Sequence, residues 1–64
     1  MKNNFMIFDK NGKEILVNLK NVVKIEKSGD GCKVTYNYTI HDCNNYEYFD
    51  DDFNFIKGLM EHQV

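Results

Sequence analysis

The chain reads as a small α+β domain: an antiparallel meander sheet of four to five strands with one C-terminal helix packed on one face. Three patterns carry that expectation. Phe5-Met6-Ile7-Phe8 and Glu14-Ile15-Leu16-Val17 are apolar runs joined by Asp9-Lys10-Asn11-Gly12-Lys13. Asn-Gly between such runs is a strong hairpin signal, because both residues tolerate positive φ. Cys32, Val34, Tyr36, Tyr38 and Ile40 alternate with Lys33, Thr35, Asn37, Thr39 and His41, the period of a half-buried strand. Phe49, Phe53, Ile56 and Met60, with Leu59 beside them, recur at helical spacing and form one apolar stripe.

Taken in order, the first hairpin is apolar on both faces near its middle, which predicts a central or covered position in the sheet. Asp9, at the start of the turn, can cap it with its carboxylate. Asn18-Leu19-Lys20-Asn21 is a polar connection, and Val22–Lys27 follows as a third strand with Val23 and Ile25 inward. Ser28-Gly29-Asp30-Gly31 is a turn by composition, and the alternating run from Cys32 to Ile40 is the fourth strand. Lys24, Glu26, Lys33, Thr35, Asn37 and Thr39 then share a face that is wet or meets a partner. His41–Asn45 is a loop. Tyr46-Glu47-Tyr48 returns as a short fifth strand, with Tyr46 expected beside Ile40 and Tyr48 beside Tyr38. Asp50 or Asp51 is expected to cap the helix, where carboxylates suit the positive end of the dipole. Gly58 costs about 1 kcal/mol relative to Ala inside a helix and reads as a point of close packing. Phe55 lies off the stripe and is expected to be exposed.

Sixty-four residues make a single domain over residues 1–64. A chain of this size buries only about 60% of its unfolded surface, so it needs a dense core or a partner subunit. Five Phe and four Tyr supply the first. The two cysteines, Cys32 and Cys43, flank the predicted fourth strand, whose length alone separates them by roughly 26 Å. A bridge requires Cα atoms within about 7 Å, so reduced thiols and a cytoplasmic location are expected. The apolar stretch Phe5–Phe8 is too short for a secretion signal or a membrane span.

Charge divides along the chain. Residues 1–33 hold seven Lys against four acidic residues, and residues 34–64 hold one Lys against six, giving +3 and −5 for the net −2. Arginine is absent, as are Pro and Trp. Bidentate recognition of phosphate or guanine by arginine forks is therefore excluded.

No reaction chemistry is legible. His41, Asp42 and Cys43 occupy one loop, but a structural zinc site needs four ligands in paired elements, and Cys32 and His62 are predicted far away. Asp9-Lys10-Asn11-Gly12 fails the calcium-loop pattern, because Gly12 falls fourth and the twelfth position is Lys20. Helix capping accounts for Asp50-Asp51-Asp52 without an ion. Cys43 and His41 are two apart on an extended segment, poorly placed as nucleophile and base. No metal, no cofactor and no enzymatic activity are expected.

Asn11-Gly12-Lys13-Glu14-Ile15-Leu16-Val17-Asn18, followed by Val22-Val23-Lys24-Ile25-Glu26, resembles the FlbD family of short flagellar-operon proteins. There an NG turn, an apolar strand ending in Asn and an I-x-x-I-E strand recur. The segment is also loosely similar to the C-terminal half of LytTR DNA-binding domains. The resemblance covers residues 5–27 and implies a β-hairpin architecture. The longer aromatic fourth strand and the loop His41–Asn45 depart from it, and it implies no role.

The expected function is that of a non-catalytic binding protein, a regulator or inhibitor of the kind a phage or mobile element directs at a host machine. Asp42, Glu47, Asp50, Asp51 and Asp52 form the expected docking face for a basic protein surface, with Phe55 as an exposed anchor. Two alternatives stand beside it. One is a weak nucleic-acid-binding regulator using Lys13, Lys20, Lys24, Lys27 and Lys33 to neutralise phosphates; the other is a homodimer or larger structural assembly.

Overall fold

The computed structural model describes residues 4–40 and 42–61. Its elements are β1 (Phe5–Lys10), β2 (Lys13–Asn18), a 3-10 turn (Leu19–Asn21), β3 (Val22–Ser28), β4 (Gly31–Tyr36), β5 (Tyr46–Phe49) and α1 (Phe53–Glu61). Five antiparallel strands and a C-terminal helix make the α+β fold that the patterning predicts.

The hairpin forms at Asn11–Gly12, where φ is 53° and 80° respectively and Lys10 pairs with Lys13. A two-residue loop with both residues left-handed matches the twist of the strands it joins. Alternation then sorts the side chains. Met6, Phe8 and Val17 are buried, with Ile15 packed against them. On the other face Phe5, Ile7 and Leu16 are 48%, 54% and 64% exposed. The expectation of a covered hairpin is thus corrected: the fold buries one of its two apolar faces and leaves the other open.

The strands divide into two sheets, β1-β2 and β3-β4-β5, rather than one continuous meander. The division falls at the 3-10 turn. Asn18 accepts from the Lys20 N–H through its side chain, and the Leu19 N–H donates to the Asn4 carbonyl. These bonds turn the chain out of the hairpin before β3 begins, and β3 pairs with β4 instead of β2. Its register shifts between Val22 and Lys24. A bulge adds a residue to one strand and interrupts alternation; Val22 and Ile25 pack against the core while Val23 is 63% exposed. The inward placement expected for Val23 is overturned by that extra residue.

β4 ends at Tyr36, short of the predicted Ile40. Beyond it the Asn37 N–H donates to the Asn21 carbonyl and the Ile40 N–H to the Asn44 carbonyl, so the loop makes bonds of its own. β5 pairs Thr35 with Tyr46, Lys33 with Tyr48 and Cys32 with Phe49. The expected partners of Tyr46 and Tyr48, Ile40 and Tyr38, are wrong by an odd number of residues, and an odd slip exchanges the faces of a strand. Phe49, expected to begin the helical stripe, is instead the last residue of β5 and stacks on Phe8 with ring centroids 4.9 Å apart.

The core draws on both sheets and the helix: Met6, Phe8 and Val17, then Cys32, Val34, Tyr36 and Phe49, then Ile56. Phe53 and Met60 pack at its edge, and Phe55 is 62% exposed as its off-stripe position predicts. The Asp52 carbonyl accepts from the Phe55 and Ile56 N–H groups, so the helix starts behind Asp52 and neither Asp50 nor Asp51 caps it. A Cβ at Gly58 would meet nothing within 4 Å, which corrects the reading of close packing there. Gly58→Ala should therefore raise stability by about 0.5–1 kcal/mol, visible as an unfolding midpoint several degrees higher. A lower midpoint would show that the helix packs more tightly there than this geometry allows. No helix among the described residues is long and apolar enough to cross a membrane.

Candidate docking surface

Backbone donors in the first hairpin set the position of the acidic residues. The Asp51 carboxylate accepts from the Asp9 N–H at 2.7 Å, and the Asp50 carboxylate accepts from the Asn11 N–H at 2.8 Å. The Asp50 N–H returns a bond to the Asp9 carbonyl at 2.8 Å. Three bonds thereby tie the segment between β5 and α1 to the turn end of the hairpin. Hydrogen bonds to ionised acceptors are the stronger kind, so Asp50 and Asp51 join the two sheets whatever else they do. Sequence reasoning missed this role, because the donors lie about forty residues away and are backbone groups.

Glu47 is also engaged within the fold. It accepts from the Tyr36 hydroxyl at 3.0 Å and pairs with Lys10 at 3.3 Å. Burial, with the Glu47 carboxylate beside it, pushes the Tyr36 hydroxyl well above the usual tyrosine range. Asp42 has a left-handed backbone, φ 45°, in the loop that precedes β5, whereas Asp50, Asp51 and Asp52 follow the other end of that strand. Of the five predicted acidic residues, only these last three gather. Asp9 joins them, and Glu14 faces Asp9 across the hairpin.

These carboxylates border the open hairpin face. Opposed residues of an antiparallel pair share a face, and the pairs Phe5 with Asn18, Ile7 with Leu16 and Asp9 with Glu14 run in sequence along it. The result is an apolar patch that ends in negative charge. Phe55, in the first turn of α1, follows directly on the same acidic segment.

The predicted lysines do not gather. Lys13 lies at the hairpin turn, Lys20 in the 3-10 turn, and Lys27 opposite the inward Cys32. Lys24 and Lys33 alone share the outer face of β3-β4-β5, where Lys24 lies 3.8 Å from Glu26 and Lys33 lies 4.5 Å from the Tyr46 ring centroid.

A shallow open cleft of about 520 Å³ lies between the bulge of β3 and the loop after β4, lined by Val23, Tyr36, Tyr38, Thr39, Cys43 and Asn45. Cys43 is exposed and Cys32 is buried, neither in a disulfide. Burial, and secondarily the Asp51 charge, push the Cys32 thiol up to about 11. Thiolates are the reactive form, so native protein at pH 8 should titrate one thiol rapidly with a chromogenic disulfide and the second only on unfolding. Two rapid thiols would contradict the burial of Cys32. His41 and His62, candidates in the metal reading, lie outside the described residues. Among the described residues, no three His, Cys, Asp or Glu side chains are grouped to hold a metal ion.

No protein-family model matches the chain, and no curated protein and no solved structure is significantly similar to it.

Proposed function

We propose that this chain is a non-catalytic binding protein, a regulator or inhibitor that acts by occupying the surface of a partner protein. The observation that carries the reading is the outer face of the hairpin. Its sequence is apolar on both sides, yet the fold covers only one, leaving Ile7 and Leu16 more than half exposed. Contiguous exposed apolar surface bordered by charge is characteristic of interaction sites. The border here is negative, formed by Asp9, Glu14 and the Asp50–Asp52 segment, so the complementary partner presents an apolar surface flanked by basic residues. Asp50 and Asp51 contribute charge to that border while holding the sheets together. Charge reversal at those two positions therefore confounds binding with folding, and Ile7 and Leu16 are the cleaner probes.

The test replaces both with lysine, which removes apolar area and repels a basic partner. A protein that co-purifies with the wild-type chain from its native host and is lost with Ile7→Lys/Leu16→Lys supports the proposal, provided the variant keeps its circular dichroism. Retention of the same protein by the variant overturns the assignment of this face. A wild-type solution mass of twice 7.6 kDa that the substitutions halve would mean that a second copy covers the face, and would overturn a separate partner.

A further inference from the structure

The three-stranded sheet carries a second, chemically different surface. On the outer face of β3-β4-β5 the register sets Glu26, Lys33 and Tyr48 in one row and Lys24, Thr35 and Tyr46 in the next. The core, with Ile56 of the helix, lies on the other side of this sheet. Tyr48 is 51% exposed, and its ring meets that of Tyr46 edge-on with centroids 5.7 Å apart. Lys33 stands over Tyr46, and among the described residues Lys24 pairs with the exposed Glu26, at 3.8 Å. Although the whole chain is acidic, this face holds two lysines against one carboxylate. The other acids lie at the hairpin end, in the turn between β3 and β4 (Asp30), in the loop before β5, on the inward side of β5 or on the helix.

We infer that the outer face of β3-β4-β5 is a platform for single-stranded nucleic acid. Bases stack on aromatic rings presented by a sheet, and lysines beside them take the phosphates. Tyr48 supplies the open ring, Tyr46 braces it edge-on, and Lys24 and Lys33 supply the positive charge. With no arginine fork, contact to base edges is reduced, so the surface takes single strands with little sequence preference. This inference is independent of the hairpin reading, because it uses different residues on a different sheet.

Fluorescence anisotropy with labelled oligothymidylate and oligouridylate of about ten nucleotides at low ionic strength tests it, with the full chain. The expected result is binding to one or both, with log K falling against log salt at a slope of about −1 to −2, as two phosphate contacts on a single strand require. Tyr48→Ala should weaken binding at least about fivefold, Tyr48→Phe should restore it, and Lys33→Gln should flatten the slope. Tyr48 is half exposed, so these variants fold, and an unchanged circular dichroism spectrum checks it. Absence of any complex at low salt overturns the inference. So does binding that Tyr48→Ala leaves intact, since attraction to charge alone needs no platform.

Discussion

A Phe8→Ala chain should lose about 3–5 kcal/mol of folding stability. Phe8 is 0% exposed and stacks on Phe49, so it joins the hairpin to the three-stranded sheet across the core. Its removal leaves a cavity between two elements that no hydrogen-bond ladder links. Domains carry roughly 0.05–0.15 kcal/mol of stability per residue, so a loss of this size takes most of what a chain of 64 residues holds. Urea titration followed by circular dichroism should show the variant largely unfolded, or with its midpoint moved close to zero denaturant. A loss under about 1 kcal/mol would mean that the hairpin does not pack where Phe8 places it.

Gly31→Ala is expected to cost about 3 kcal/mol, for a different reason. A Cβ at Gly31 would fall well inside van der Waals contact with the Phe49 carbonyl oxygen, and would lie 3.2 Å from its carbon and 3.3 Å from the Asp50 Cα. All three are backbone atoms and cannot swing aside as a side chain would. Relief requires β5 to move off β4 where Cys32 pairs with Phe49, next to the Asp50 and Asp51 bonds to the hairpin. The substitution therefore strains both the sheet and its connection to the hairpin. Gly29, with φ 55° but open space around its α-carbon, would acquire only local backbone strain on substitution. Gly29→Ala should cost about 1–2 kcal/mol. Equal losses at the two positions would contradict the close approach of β5 at Gly31.

How far the sequence reports this fold depends on how local each signal is. The Asn11–Gly12 turn, the alternation from Cys32 to Tyr36 and the stripe of Phe53, Ile56 and Met60 are set by neighbours in the chain, and each forms where its pattern places it. The register of β5 is not local. It depends on how much chain the loop after Tyr36 consumes, and an alternation that continues to Ile40 hides the end of β4. That slip moved Tyr46 and Tyr48 to the outer face, where no pattern in residues 46–48 would have placed them. The bulge at Val23 is hidden for the same reason, since one added residue leaves no mark in composition.

The candidate surface was half legible. Clustered Asp50–Asp52 and the off-stripe Phe55 stand out in the sequence, and both lie at the hairpin end or next to it. The two-faced apolar hairpin was also visible, but its reading required knowledge of the fold. Only the division into two sheets shows that one of its faces is left without cover.

Thermal unfolding of Ile7→Lys/Leu16→Lys tests that central point without any partner in hand. Both side chains face solvent, so the midpoint should stay within a few degrees of wild type, corresponding to less than about 1 kcal/mol. A drop of twenty degrees or so, the signature of roughly 3–5 kcal/mol in a domain this small, would place Ile7 and Leu16 in the core and remove the docking face from the account.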